Sequence, residues 1–374
     1  MIPVLKQKID DKTIAADFKQ PMEQNDYAKV IAISSGKGGV GKSFLATNLA
    51  IEFSTQGNSV CLFDADTNMA NINILLGITP LHTLQHFFSQ SLSIEDIIIK
   101  GTAGIDIIAG ASGISDFIRL SQPQQQKLVS GLNSLEKNYQ YLFIDTAAGV
   151  DETNISLILA APYLILTITG EPTSLTDAFS LLRILKKYHF NRPVLVIVNM
   201  VNNRLTAQTI YKRFKDAVTK YLQLKSYLAG YVLKDENVPL SILQQQALIS
   251  TQAKSPASQC IKRICQRLRK VFEQRQHKNA SFSHYFSDLV LPDELYVKES
   301  EEKTDSCHEQ EFIPANITNT ISSINPEQNH SPNNALLRAS HFARVLAERN
   351  IYVINKSIIT IYCRQYCNKY RLHT

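Results

Sequence analysis

The chain has 374 residues, 44% of them apolar, and a formal net charge of +6. That is enough apolar material for a sizeable core, while a polar first 27 residues exclude a signal peptide there. The most apolar stretch, residues 155–169, is short and interrupted by Pro162, which excludes a membrane span. Six cysteines (61, 260, 265, 307, 363 and 367) contain no Cys-x-x-Cys pair. Free thiols, no cysteine-based metal site and a cytoplasmic location are therefore expected.

Residues 1–28 are mixed and polar, a flexible lead-in. Residues 30–33 (Val-Ile-Ala-Ile) predict a strand, followed by Gly36-Lys37-Gly38-Gly39-Val40-Gly41-Lys42-Ser43 and a helix from Phe44. Residues 60–63 predict a second strand running into Asp64-Ala65-Asp66. Further strands are predicted at 105–108, at 141–144 leading into Asp145, at 163–168, at 194–199 and at 227–233. The clearest helix covers 175–188, with Phe179, Leu182, Ile184 and Leu185 on its apolar side and Thr173 or Ser174 as N-cap. Near-continuous apolar strands alternating with helices predict an α/β fold: a mostly parallel, doubly wound sheet with helices on both faces.

The expected domain spans 29–276 and ends in an amphipathic helix over 258–276. Its apolar face (Ile261, Ile264, Cys265, Leu268, Val271, Phe272) is expected to pack on the sheet, with membrane attachment as the alternative. A second apolar stripe, Phe282, Tyr285, Phe286, Leu289 and Val290, lies in a segment 277–295 and is the better candidate for membrane or partner contact. Residues 296–335 are rich in Glu, Ser, Thr, Asn and Pro, and 336–374 are basic. Together they predict a disordered C-terminal extension with a solvated basic end; direct DNA binding is not expected.

Strand, glycine loop and helix is the context that gives a P-loop its meaning. The glycines let successive N–H groups converge on an anion at the helix N-terminus, through Gly36, Gly38, Gly39, Val40, Gly41, Lys42, Ser43 and Phe44. Lys42 is placed to reach the β- and γ-phosphates and the Ser43 hydroxyl to sit on Mg²⁺. A strand-end aspartate ordinarily caps a helix or a turn. Three of them beside a phosphate loop point instead to metal and water: Asp145 and Asp64 for the Mg²⁺ shell, Asp66 for the attacking water. Lys37 is a second lysine in a short loop. It makes most sense crossing to a nucleotide held by a second subunit.

Residues 37–43 resemble the deviant Walker A loop of the MinD/ParA family, whose members form dimers sandwiching two ATP molecules. Phe63-Asp64-Ala65-Asp66 with residues 70–77 resembles the switch I region of MinD-type ATPases. Residues 108–113, Ile144-Asp145-Thr146-Ala147-Ala148-Gly149 and Gly170-Glu171-Pro172-Thr173-Ser174 narrow the likeness to the FleN/FlhG branch, regulators of flagellar number and placement. The likeness covers residues 28–292 and departs from the branch at Thr67-Asn68, Asn73, Gly170 and Leu233. It implies a homodimeric ATPase that slowly hydrolyses ATP to ADP and phosphate, with ATP and Mg²⁺ as cofactors. It implies too that the dimer restrains a flagellar master transcription activator (FleQ-like), cooperates with the flagellar GTPase FlhF and contacts the inner membrane reversibly. Position by position, the resemblance implies that Lys37 contacts the partner's nucleotide and Lys42 the bound phosphates, that Ser43 and Asp145 serve the metal and Asp66 the attacking water, with Lys37 and Asp66 as the catalytic pair, and that Asn199 reads the adenine edge. The Asp-Gln-Ala-x-x-Leu-Arg segment by which many relatives stimulate the GTPase is not found ahead of the P-loop.

Overall fold

The computed structural model describes residues 27–66, 71–110, 120–273 and 281–290. The expected lead-in up to residue 26, Thr67-Asn68, the 111–113 part of one motif, and the tail with Cys307, Cys363 and Cys367 lie outside the described residues.

Eight strands form one sheet: β1 (Lys29–Ser35), β2 (Val60–Ala65), β3 (Ile98–Thr102), β4 (Ile105–Ile108), β5 (Tyr141–Ala148), β6 (Tyr163–Ile168), β7 (Val194–Val201) and β8 (Ser226–Leu233), in the order β3-β4-β2-β5-β1-β6-β7-β8. All neighbours are parallel except β3 and β4. The sequence reading did not include β3. It is a short edge strand of mixed exposure, so it lacks the continuous apolar signal of the central strands.

The helices are α1 (Lys42–Thr55), α2 (Asn71–Leu76), α3 (Leu84–Ser89), α4 (Gln122–Asn138), α5 (Glu152–Ala160), α6 (Pro172–Lys187), α7 (Arg204–Leu222), α8 (Asn237–Leu243), α9 (Leu248–Thr251), α10 (Pro256–Glu273) and α11 (Phe282–Ser287). One apolar cluster fills the space between the sheet, α1 and α10. It contains Ile31 and Ile33 of β1, Leu62, Phe143, Leu45 and Leu49, and from α10 Ile261, Ile264, Leu268 and Phe272. The terminal helix thus packs its apolar face on the domain, and Ile264 sits so close to Gly230 of β8 that any Cβ there would overlap it.

The helix expected at 175–188 begins earlier, at Pro172. Proline fixes the first helical φ at no hydrogen-bond cost. Ser174, one of the two expected caps, instead accepts a bond from the Thr169 N–H at 3.0 Å.

The 282–290 stripe is turned inward. Phe282 and Phe286 are fully buried and Leu289 nearly so, with α11 packed on α4 and α5. Its first turn is held by the buried Glu136 carboxylate of α4. That carboxylate accepts from the Phe282 N–H (2.7 Å), the Ser283 N–H (2.9 Å) and the Ser281 hydroxyl (2.7 Å). A stripe of this kind reads the same whether it meets lipid or protein, since both are dry. No helix among the described residues is long and apolar enough to cross a membrane.

Candidate functional site

The glycine loop leaves the carboxyl end of β1, inside the sheet, where ligands of parallel sheets collect. Gly39 and Gly41 adopt left-handed φ values of 77° and 85°, and Gly41 is the N-cap of α1. Gly36 has no room for a side chain: a Cβ would stand 2.1 Å from the backbone at Asp177 and Ala178 of α6. On the open side, nothing lies within 4 Å of the places a Cβ would take at Gly38 and Gly39. The first turn of α1 carries no acidic residue, so its positive end is left for an anion.

Beneath the loop, strand alternation brings carboxylates together. Residues 31 and 33, 60 and 62, and 141 and 143 face the α1 side of the sheet. The same parity sends Asp64 and Asp145 there, register neighbours on β2 and β5. Asp145 accepts a bond from the Lys42 ammonium at 2.7 Å, in a pair that is almost wholly buried (side-chain exposure 6% and 0%). Burial pushes the Asp145 carboxyl up and the Lys42 charge pulls it back, with the Ser43 hydroxyl helping. Burial and then the neighbouring Asp145 push Asp64 up to about 7, against weak bonds from the Asp66 and Ile72 N–H groups. Asp145 Oδ2 is buried and has no hydrogen-bond partner. An orphaned carboxylate oxygen beside a serine hydroxyl and a second carboxylate is a donor set that fits a hard divalent cation.

Lys37 stands apart from this centre. Its ammonium meets the Glu171 carboxylate at 2.6 Å and the Thr173 hydroxyl at 3.0 Å, both at the start of α6. The pair is exposed, 38% for Lys37 and 62% for Glu171.

Residues 28–196 match the AAA domain family. The antiactivator FleN of Pseudomonas aeruginosa is 31% identical over 240 residues, 64% of this chain and 86% of FleN. The chain belongs to the MinD/ParA family of ATPases. Within that family, the flagellum site-determining protein YlxH of Helicobacter pylori is 28% identical over 60% of this chain and 76% of its own length. The septum site-determining protein MinD of Pyrococcus horikoshii, complexed with Mg-ADP, shares the fold at a TM-score of 0.51 and 23% identity, covering 64% of this chain and 96% of that one. The chain is accordingly a MinD/ParA-type ATPase with the mostly parallel, P-loop-bearing sheet of its family.

The structure gathers Lys42, Ser43, Asp64 and Asp145 of this ATPase into one cluster. Asp66 is half-buried just past β2 and near enough to add to the push on Asp145. Asn199 does not end its strand, because β7 runs on to Val201; its buried amide donates to the Val40 carbonyl at 2.8 Å. Sequence reasoning missed Glu171 and Thr173 as partners of Lys37. The Glu-Pro-Thr-Ser string was visible, but a contact across 134 residues has no local signature.

Proposed function

We propose that this ATPase is a nucleotide-gated regulator of flagellar number and placement. ATP with Mg²⁺ holds two copies together, and the closed dimer binds and restrains a FleQ-like transcription activator. Contact with the GTPase FlhF rests on the likeness to the FleN/FlhG branch alone. In this reading the amides of residues 36–44 and Lys42 bind the phosphates. Ser43 and Asp145 hold the metal, Asp64 supports its shell, and Asp66 orients the attacking water. When bound, Mg²⁺ supplies charge neutralisation at the phosphate oxygens. Lys37 leaves Glu171 and Thr173 for the nucleotide of the second copy.

The observation that carries the reading is the contrast between the two loop lysines: one is locked under the cradle, the other sits in an exposed and exchangeable ion pair. Purified chain carrying ATP should retain the flagellar master activator of its own cell on a column, and chain carrying ADP should not. Equal retention in both states would contradict the gating. Phosphate release should fall at least tenfold in Asp66→Ala; an unchanged rate would remove Asp66 from the reaction.

A positioning ATPase acting on membrane or DNA is the second reading. It is favoured by Arg204, Lys212, Arg213, Lys215 and Lys220, all exposed on α7. ATP-dependent co-sedimentation with anionic vesicles or duplex DNA would select it. Because α11 is turned inward, vesicle binding through its stripe would first require release from Glu136.

A further inference from the structure

The bend that follows the acid-bearing strand β5 is held by hydrogen bonds and not by packing. Gly149 adopts a φ of 100°, where a side-chain-bearing residue would be strained, and nothing lies within 4 Å of the place its Cβ would take. No steric wall therefore sets where this bend sits; its two polar atoms do. The Gly149 N–H donates to the Ser35 carbonyl at 3.0 Å, and the Gly149 carbonyl accepts from Asn154 Nδ2 at 2.5 Å. Those atoms belong to the two peptide planes that flank the glycine, so β1 pins one plane and α5 the other.

Asn154 is fully buried in the first turn of α5. Asp151 already caps that helix, accepting from the Asn154 N–H at 2.9 Å. The helix start therefore does not need the Asn154 side chain. Its amide reaches out of the helix to the bend, while its Oδ1 faces the Ser34 hydroxyl of β1 at 3.4 Å.

From Gly149 the bonds continue into the glycine loop. Ser35, also fully buried, donates its hydroxyl to the Lys37 carbonyl at 2.9 Å. One chain of bonds thus runs from α5 to the backbone of Lys37, through Asn154, Gly149 and Ser35. Asp145 lies outside it, because the strand ladder holds Asp145 opposite Ile33 and the register slips only beyond that pair. Lys42, paired with Asp145, lies outside it too.

We infer that Asn154 is a positioning residue for ATP hydrolysis: by holding the Gly149 bend against Ser35, it sets where the Lys37 backbone stands. The inference rests on the reading of Lys37 as the lysine that serves the nucleotide of the second copy. It assigns α5 a part in turnover and none in holding the phosphates.

Steady-state turnover of Mg-ATP, at saturating protein and ATP, tests this in wild type, Asn154→Ala, the near-isosteric Asn154→Leu, Ser35→Ala and the double variants. Thermal melting shows which Asn154 variant folds, and the comparison is read on either. Calorimetry with Mg-ADP measures the phosphate site separately. The expected result is a kcat lowered about tenfold, the scale of one lost hydrogen bond, with KM for ATP and affinity for Mg-ADP at their wild-type values. Because both residues act through one chain, adding Ser35→Ala should lower kcat by less than the product of the two single effects. A wild-type kcat, or fully multiplying effects in the double variant, would overturn the inference. So would Mg-ADP affinity falling in step with kcat, since that is a general loosening of the site. Wild type and Lys37→Ala turning over ATP equally fast would instead remove the reading of Lys37 on which the inference rests.

Discussion

Two lysine–carboxylate pairs of nearly equal length lie at opposite sides of one loop. Lys42 meets Asp145 at 2.7 Å with both side chains almost wholly buried; Lys37 meets Glu171 at 2.6 Å with both exposed. Distance does not separate them, but dielectric does. In the buried pair each charge has lost its hydration and depends on the other, so removing one partner strands the second. In the exposed pair water replaces either partner at little cost, and screening leaves the contact worth under about 1 kcal/mol. The first pair suits a fixed centre and the second a contact that is made and broken.

The largest expected effect comes from breaking the buried pair. Lys42→Met leaves Asp145 without its cation, and urea denaturation of nucleotide-free protein should show a loss of about 3–5 kcal/mol. A loss below about 1 kcal/mol would mean that Asp145 is neutral and the pair is not ionic.

Asp64 sharpens the same point with the opposite sign. Its folded carboxyl holds a proton up to about pH 7, against an ordinary value of 3.8, so the folded chain binds that proton more tightly than the unfolded one. Stability from this group is present at pH 4 and is lost as pH rises through 7. Asp64→Asn should therefore stabilise the nucleotide-free protein at pH 8 by on the order of 2–4 kcal/mol and leave it little changed at pH 4. Melting curves at the two pH values check this; equal shifts at both would contradict it.

Glu136 offers an anion held by a helix start in place of a lysine. Glu136→Ala should cost about 2–3 kcal/mol, because the Phe282 and Ser283 N–H groups lose their acceptor. It should also raise proteolysis and hydrogen exchange at 281–290. Unchanged exchange there would show that α11 is held by Phe282 and Phe286 alone.

Much of this contrast was legible in the sequence. The glycine loop, the strand-borne acids and the alternation of apolar strands with helices are local patterns, and they located Lys42, Ser43, Asp64 and Asp145. What escaped has a shared cause. The Lys37 contact to Glu171, the Glu136 contact to α11 and the Asn199 contact to Val40 each join segments more than a hundred residues apart. Such pairings are set by how elements cross, and no local periodicity records them. The inward-facing stripe of α11 shows the other limit, since its apolar spacing fits a lipid surface as well as the α4 and α5 surfaces that it covers.

The smallest effect on folding belongs to the exposed pair: Glu171→Gln should change stability by less than about 1 kcal/mol. Its consequence should appear in association, because Lys37 is then freer to leave. Mass in solution with and without ATP and Mg²⁺, for wild type and Lys37→Ala, therefore tests the central claim most directly. Wild type should be monomeric alone and dimeric with ATP, while Lys37→Ala should stay monomeric in both. A Lys37→Ala protein that dimerises with ATP as readily as wild type would contradict it.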